Sequence, residues 1–268
     1  MTTDHKSLLI TLFAMCLALW PPVASATDKP PRLVLQITVD ALRGDLPQRF
    51  LHNMGEGGFR YLMDNGVHYS NAHYEHANTE TIVGHSSLAT GTTPALHGMV
   101  GNVWFDKDAG RLIYNVEDDR YHLLSSNADV DKSTEIDPTQ RTAQADGRSP
   151  RALLNSTFSD ELAYAYNGRS KIFAVSVKDR GAIPLAGQTG KAFWFSKAAG
   201  EFITSNYYYK RYPDWVKQWN QAKAVAQYGG KSWELLQARQ NYLFGSDDDQ
   251  PWETDFPGFG RTFPHAWG

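Results

Sequence analysis

Five residues have types and spacing suited to the chemistry of a phosphate-like anion. Asp40 ends an apolar run, Thr81 opens a helical run closed by Gly91, and Lys178 and Arg180 follow a second apolar run. Asn102 lies 21 positions after Thr81, and Asp40 lies 41 positions before it. A hydroxyl at a helix N-terminus faces unpaired backbone N–H groups and the positive end of the helix dipole, which suits an anion and an activated alkoxide. Threonine is a poor nucleophile at its ordinary pKa and needs a base or a metal to act as one. Asp40 offers a hard oxygen ligand to such a metal. Asn102, Lys178 and Arg180 offer donors to non-bridging oxygens, lysine as a point charge and arginine as a planar fork. Each residue also has a plain structural reading: Thr81 as a helix cap, Asp40 as a turn residue, Lys178 and Arg180 as surface charges. Spacing alone does not decide between the two.

The elements that must position these residues are short. Leu33–Val39 (LVLQITV) predicts a buried strand, and Lys171–Val177 (KIFAVSV) a second one ending at Lys178. In open α/β sheets the ligand crevice lies beyond the C-terminal ends of strands. Residues 55–66 predict a short helix with Phe59, Leu62 and Met63 on one face and Gly66 as its stop. Residues 67–72 predict a further strand, and Thr81–Thr90 a turn entering a helix. The alternation predicts an α/β fold with a largely parallel sheet flanked by helices. From about Gly190 the chain is rich in aromatics, including Phe193, Trp194, Phe195, Tyr207, Tyr208, Tyr209, Trp215 and Trp219. Residues 191–268 are therefore expected as an aromatic-rich cap or insert, and residues 27–190 as the α/β core. The stretch 245–268 reads as loop with no closing helix or strand, as if the chain stopped partway through a fold.

Composition narrows the classes. The 268 residues carry 26 Lys+Arg and 29 Asp+Glu, a net charge of −3, which argues against a general polyanion binder and gives no specific nucleic-acid partner. Hydrophobic residues make up 41% and charged residues 21%, as in a globular protein. A single cysteine excludes a disulfide framework and a thiolate zinc cage. Residues 1–26 read as a secretory signal peptide: Lys6, an apolar run from Leu8 to Trp20, a Pro21-Pro22 break, and small residues at Ala24-Ser25-Ala26. That run is short of the roughly 20 residues needed to span a bilayer. The mature chain is expected to be a periplasmic or secreted protein without cysteine or membrane span. Oligomeric state is not legible.

Three blocks, ITVDALRGD (37–45), NTETIVGHSSLATGTTPALHGMVGNVWFD (78–106) and VSVKDRGAIPLAG (175–187), resemble the alkaline phosphatase superfamily. The resemblance is to its phosphate-irrepressible, periplasmic branch with a threonine nucleophile, a neighbour of the nucleotide pyrophosphatase/phosphodiesterases. It implies zinc-dependent hydrolysis of phosphate monoesters. Thr81 would be the nucleophile, a metal ligand and the site of a covalent phosphothreonine; Asp40 would ligate zinc. Asn102, Lys178 and Arg180 would bind the phosphoryl group, the two cations favouring dianionic monoesters over diesters. Two zinc ions about 4 Å apart would stabilise the attacking and leaving oxygens.

The chain departs from the family pattern at two points. Val83 stands where the family often has proline two positions after the nucleophile. More consequential, the family's other zinc ligands come from D-x-x-x-H and D-H motifs, and none follows Arg180 in a fitting context; the one histidine beyond it is His265, in FPH. The resemblance therefore implies an N-terminal part that needs a C-terminal part for a two-zinc site. His68, His73, His76, His85 and His97 fall within thirty residues; His73 and His76 are candidate ligands of another metal, with loop and core roles the expected reading. A sulfatase is excluded by threonine at position 81 and a mature chain without cysteine. The alternatives are a type I phosphodiesterase and an exported, non-catalytic module binding phosphate or a glycan.

Overall fold

The computed structural model describes residues 31–256 and 258–266. The signal-peptide reading of residues 1–26 lies outside them. The chain divides into two units, Met1–Thr38 and Val39–Gly268. In the first, residues 31–38 carry no helix or strand.

In the second unit, the helices are α1 (Leu46–Arg49), α2 (Phe59–Asn65), α3 (Thr81–Thr90), α4 (Pro94–His97), α5 (Phe158–Ala165), α6 (Asp179–Ala186) and α7 (Asp214–Gln221). Strands β1 (Val103–Asp106) and β2 (Arg111–Tyr114) form an antiparallel hairpin. Strands β3 (Phe173–Ser176), β4 (Lys191–Ser196) and β5 (Glu201–Ile203) form a sheet in that order. β3 runs parallel to β4, with Phe173 opposite Lys191, and β4 runs antiparallel to β5, with Trp194 opposite Ile203. Short strands β6 (Ser232–Trp233) and β7 (His265–Ala266) pair antiparallel. The mixed α/β content follows the sequence expectation. Among the described residues the parallel pairing is confined to β3 and β4.

The core lies where α3 and α6 pack on one another and α6 packs on β3 and β4. It contains Ile82, Val83, Met99, Tyr114, Ile183 and Trp194. α3 is buried almost all round, with Leu88 alone of its middle residues exposed. Small side chains at Gly84, Ser86, Ser87 and Ala89 let neighbours approach it. Gly91 ends the helix in the left-handed conformation (φ 65°), its N–H bonded to Ser87 O, as a helix C-terminus favours. Gly181 is demanded by close approach: a Cβ there would collide with the Ser176 hydroxyl at the end of β3. α5 begins with a capping box in which Thr157 and Asp160 satisfy each other's backbone N–H groups.

Several sequence expectations need correction. The run 33–39 is not a buried strand: it joins no ladder among the described residues, and Leu33 and Ile37 are 75% and 72% exposed. A strand requires a hydrogen-bonded neighbour, and an apolar run does not reveal whether one is present. Residues 67–72 are likewise turn and loop, with Val67 exposed. The helix expected over 55–66 is confined to α2, because residues 55–58 form bends and turn ahead of it. Residues 191–203, expected within a cap, form β4 and β5 of the sheet that contains β3. The stretch 245–268, expected to lack any strand, supplies β7.

Candidate active site

Thr81 is the first residue of α3 and is half-buried. Its hydroxyl donates to Asp40 Oδ2 at 3.2 Å, across 41 positions of sequence. Asp40 is solvent-exposed, and Ala41 beside it has φ 57°. An alanine in this left-handed region costs about 1–2 kcal/mol. Such strain concentrates at functional turns, and here it turns the chain just beyond the carboxylate.

Asn102 is buried next to the same helix end. Its Oδ1 accepts the Ile82 N–H at 3.2 Å, and its own N–H donates to Glu80 Oε2 at 2.5 Å. Because a backbone N–H only donates, the atom facing Ile82 is the amide oxygen, and the amide orientation is fixed. Nδ2 then has no partner among the described residues and is the amide's free donor. Asn115 Nδ2 donates to Asn102 O at 2.6 Å and holds the backbone from behind. On the next turn of α3, His85 Nδ1 donates to Thr81 O at 2.8 Å. His97 is buried, accepts the Met99 N–H on Nδ1 and bonds Ser87 through Nε2, so burial holding its pKa down agrees with a neutral ring. Both histidines serve local structure, as expected. His73 meets Asn71, and the His76 ring lies tilted against Tyr74.

Lys178 sits at the N-cap position of α6, just beyond β3, and Arg180 is the second residue of that helix. Between them Asp179 points into the core, where it accepts Tyr114 Oη at 2.6 Å, Arg148 Nε at 2.7 Å and Arg180 N at 2.7 Å. Arg148 and Asp179 are both 2% exposed. Burial first, and then the Asp179 charge, push the Tyr114 pKa well up, so Tyr114 stays a donor. This ion pair anchors the turn that presents Lys178 and Arg180.

Sequence reasoning missed a carboxylate at this turn. Asp137 Oδ2 receives both Lys178 Nζ and Arg180 Nη2, the latter at 2.8 Å, while Arg180 Nη1 donates to Thr139 Oγ1 at 2.8 Å. Burial works against the Asp137 charge, but hydrogen bonds from Lys178 and Thr139 and the nearby Arg180 charge hold its carboxyl well below the usual range. The only local signal was Asp-Pro-Thr at 137–139, a turn sequence, because the partners lie more than 40 positions away.

The structure thus gathers Asp40, Thr81 and Asn102 at one end of α3, and Lys178 and Arg180 at the start of α6, a helix packed against α3. The expected zinc ligands test less well. Asp40 and Thr81 supply two oxygens, whereas zinc sites take three or four protein ligands. Among the described residues no group of three or more His, Cys, Asp or Glu is placed to hold a metal. The described residues alone do not make a zinc site.

Comparison with known proteins places this geometry in a family. The type I phosphodiesterase/nucleotide pyrophosphatase family matches residues 34–254. Alkaline phosphatase PafA of Elizabethkingia meningoseptica is 37% identical over 226 residues, 83% of this chain and 38% of its own length. Alkaline phosphatase PhoV of Synechococcus elongatus is 35% identical over 249 residues, 92% of this chain and 42% of its own. The crystal structure of wild-type PafA superimposes with a TM-score of 0.72 at 34% identity, over 84% of this chain and 41% of that one. A solved PafA variant with Thr→Ser, Asn→Ala, Lys→Ala and Arg→Ala substitutions matches with the same TM-score at 32% identity. The chain spans less than half the length of these relatives. The fold is that of an alkaline phosphatase, and the chain belongs to the type I phosphodiesterase/nucleotide pyrophosphatase family of the alkaline phosphatase superfamily.

Proposed function

We propose that this chain carries the nucleophile and phosphoryl-binding half of an exported phosphate monoesterase. The observation that carries the reading is the cluster at the start of α3. The Thr81 hydroxyl is aimed by Asp40, and the Asn102 amide is locked by the Ile82 N–H so that its free donor serves an incoming oxygen. Thr81 Oγ attacks phosphorus and the bond to the leaving alcohol breaks; water then hydrolyses the phosphothreonine and restores the hydroxyl. Lys178 and Arg180 bind the non-bridging oxygens, and their two charges favour a dianionic monoester over a monoanionic diester. Zinc remains the expected cofactor, with Asp40 and Thr81 as two ligands and the others supplied from outside this chain. The PafA variant supports the assignment: its substituted Thr and Asn are 21 positions apart and its Lys and Arg two apart, the same types and spacings as Thr81/Asn102 and Lys178/Arg180.

The test is chemical. The complete enzyme, this chain joined to the part that supplies the remaining zinc ligands and loaded with zinc, is incubated with a monoester labelled at phosphorus and quenched in acid. Label on Thr81, absent from Thr81→Ala, is expected; full turnover by Thr81→Ala would overturn the reading. A type I phosphodiesterase is the second reading, favoured by the matched family's description. Replacing Lys178 or Arg180 by alanine separates the two, because it should harm monoester hydrolysis more than diester hydrolysis.

A further inference from the structure

Asp137 stands out because it is an acceptor in a place built for anions. Its Oδ1 is already engaged by its own turn, accepting Thr139 N at 3.0 Å and Thr139 Oγ1 at 2.6 Å. That fixes the rotation of the carboxylate and leaves Oδ2 to meet both Lys178 and Arg180. The loop itself is pinned: Asp137 N donates to Glu135 Oε1 at 2.9 Å, and Glu135 pairs with Lys197, just past β4. Arg180 is not saturated by these contacts, for Nε is buried without a partner among the described residues. Lys178 Nζ, paired with Asp137, has three N–H donors and remains partly exposed.

We propose that Asp137 is a positioning residue that sets how tightly the site holds phosphate. It gathers the two phosphoryl-binding cations onto one oxygen and offsets one of their two charges, so that phosphate is held less tightly than the bare pair would hold it. This rests on the reading of Lys178 and Arg180 given above. The consequence is a site that releases its product: inorganic phosphate has to compete for cations already partly satisfied. The depressed Asp137 pKa agrees, since the carboxylate is then charged throughout the working pH range.

The variant Asp137→Asn removes the charge at nearly constant size; its one amide oxygen can face either the two cations or the Thr139 N–H, so it also gives up one set of hydrogen bonds, which the melting temperature reads separately. Inorganic phosphate is titrated by calorimetry into the full chain, wild type, Asp137→Asn and Lys178→Ala, with thermal melting recorded on each. The expected result is opposed changes in Asp137→Asn: phosphate binds about tenfold tighter, the worth of one nearby unit charge at a partly screened site, while the melting temperature falls. Unchanged or weaker phosphate binding in Asp137→Asn, with Lys178→Ala weakened, would overturn the proposal and leave the site reading intact. Unchanged binding in Lys178→Ala would instead overturn the site reading. Absence of binding by all three chains at millimolar phosphate would overturn both.

Discussion

The stretch from Val39 to Glu80 and the stretch from Thr81 to Tyr212 hold opposite halves of one candidate site, and they are built differently. In the first, Pro47 is the single fully buried residue, and Asp40 sits on a strained, exposed turn. In the second, Thr81 opens a helix with seven of its ten residues buried, Asn102 is buried, and Lys178 and Arg180 are anchored by a core ion pair. The side chains proposed to handle the anion are thus fixed by packing within this chain. The carboxylate expected to face a metal is held by a turn and one hydrogen bond to Thr81. Orientation of an anion needs rigid donors, and a core supplies them. A metal ligand receives its final restraint from the ion and its other ligands.

The largest expected effect is at the buried pair. Asp179→Ala removes the close, buried partner of Arg148, leaving it only the longer contact to Asp129 at 3.4 Å, and should cost about 3–5 kcal/mol in chemical denaturation. Asp40→Ala, on the exposed side, should change stability by no more than about 0.5 kcal/mol. Comparable losses for the two would break the contrast. Next, Ile82→Ala in α3 removes a fully buried side chain and should cost about 2–5 kcal/mol. Leu62→Ala in α2, where the side chain is exposed, should fall within about 0.5 kcal/mol.

A smaller effect sharpens the same point through pH. Asp118 is buried in the second stretch; burial would raise its pKa, but hydrogen bonds from Arg120 and Ser149 lower it to about 2. Because the folded value lies below the unfolded one, the stabilisation is complete above the ordinary carboxylate pKa and is lost as pH falls through the folded value. Arg120 is exposed, so the contribution is about 1–2 kcal/mol. Wild type and Asp118→Asn compared by denaturation should differ near pH 6 and converge near pH 2.

These regions also differed in how far the sequence disclosed them. α3 was legible as a turn entering a helix over Thr81–Thr90 with Gly91 as its stop, and the helix in fact starts at Thr81 itself. β3 was legible because its apolar run finds a partner in β4, with Phe173–Ser176 inside the expected span. The equally apolar run 33–39 finds none, and no local pattern distinguishes the two cases. β4 misled because Ala192, Phe193 and Trp194 are all buried, which erases the alternation that marks a strand and leaves only aromatic richness. The candidate-site residues Asp40, Thr81, Asn102, Lys178 and Arg180 were named as a set through the resemblance that their motifs carry. Asp137 and Arg148 were not, since their roles come from contacts 31 or more positions away in sequence.

The most direct measurement loads the same 268-residue chain with zinc and with inorganic phosphate separately. Zinc is quantified after desalting, and phosphate affinity by calorimetry in the wild type and in Asn102→Ala, Lys178→Ala and Arg180→Ala. The account predicts phosphate binding that each substitution weakens, together with no zinc retained. Stoichiometric zinc held by this chain, or phosphate binding indifferent to all three substitutions, would contradict it.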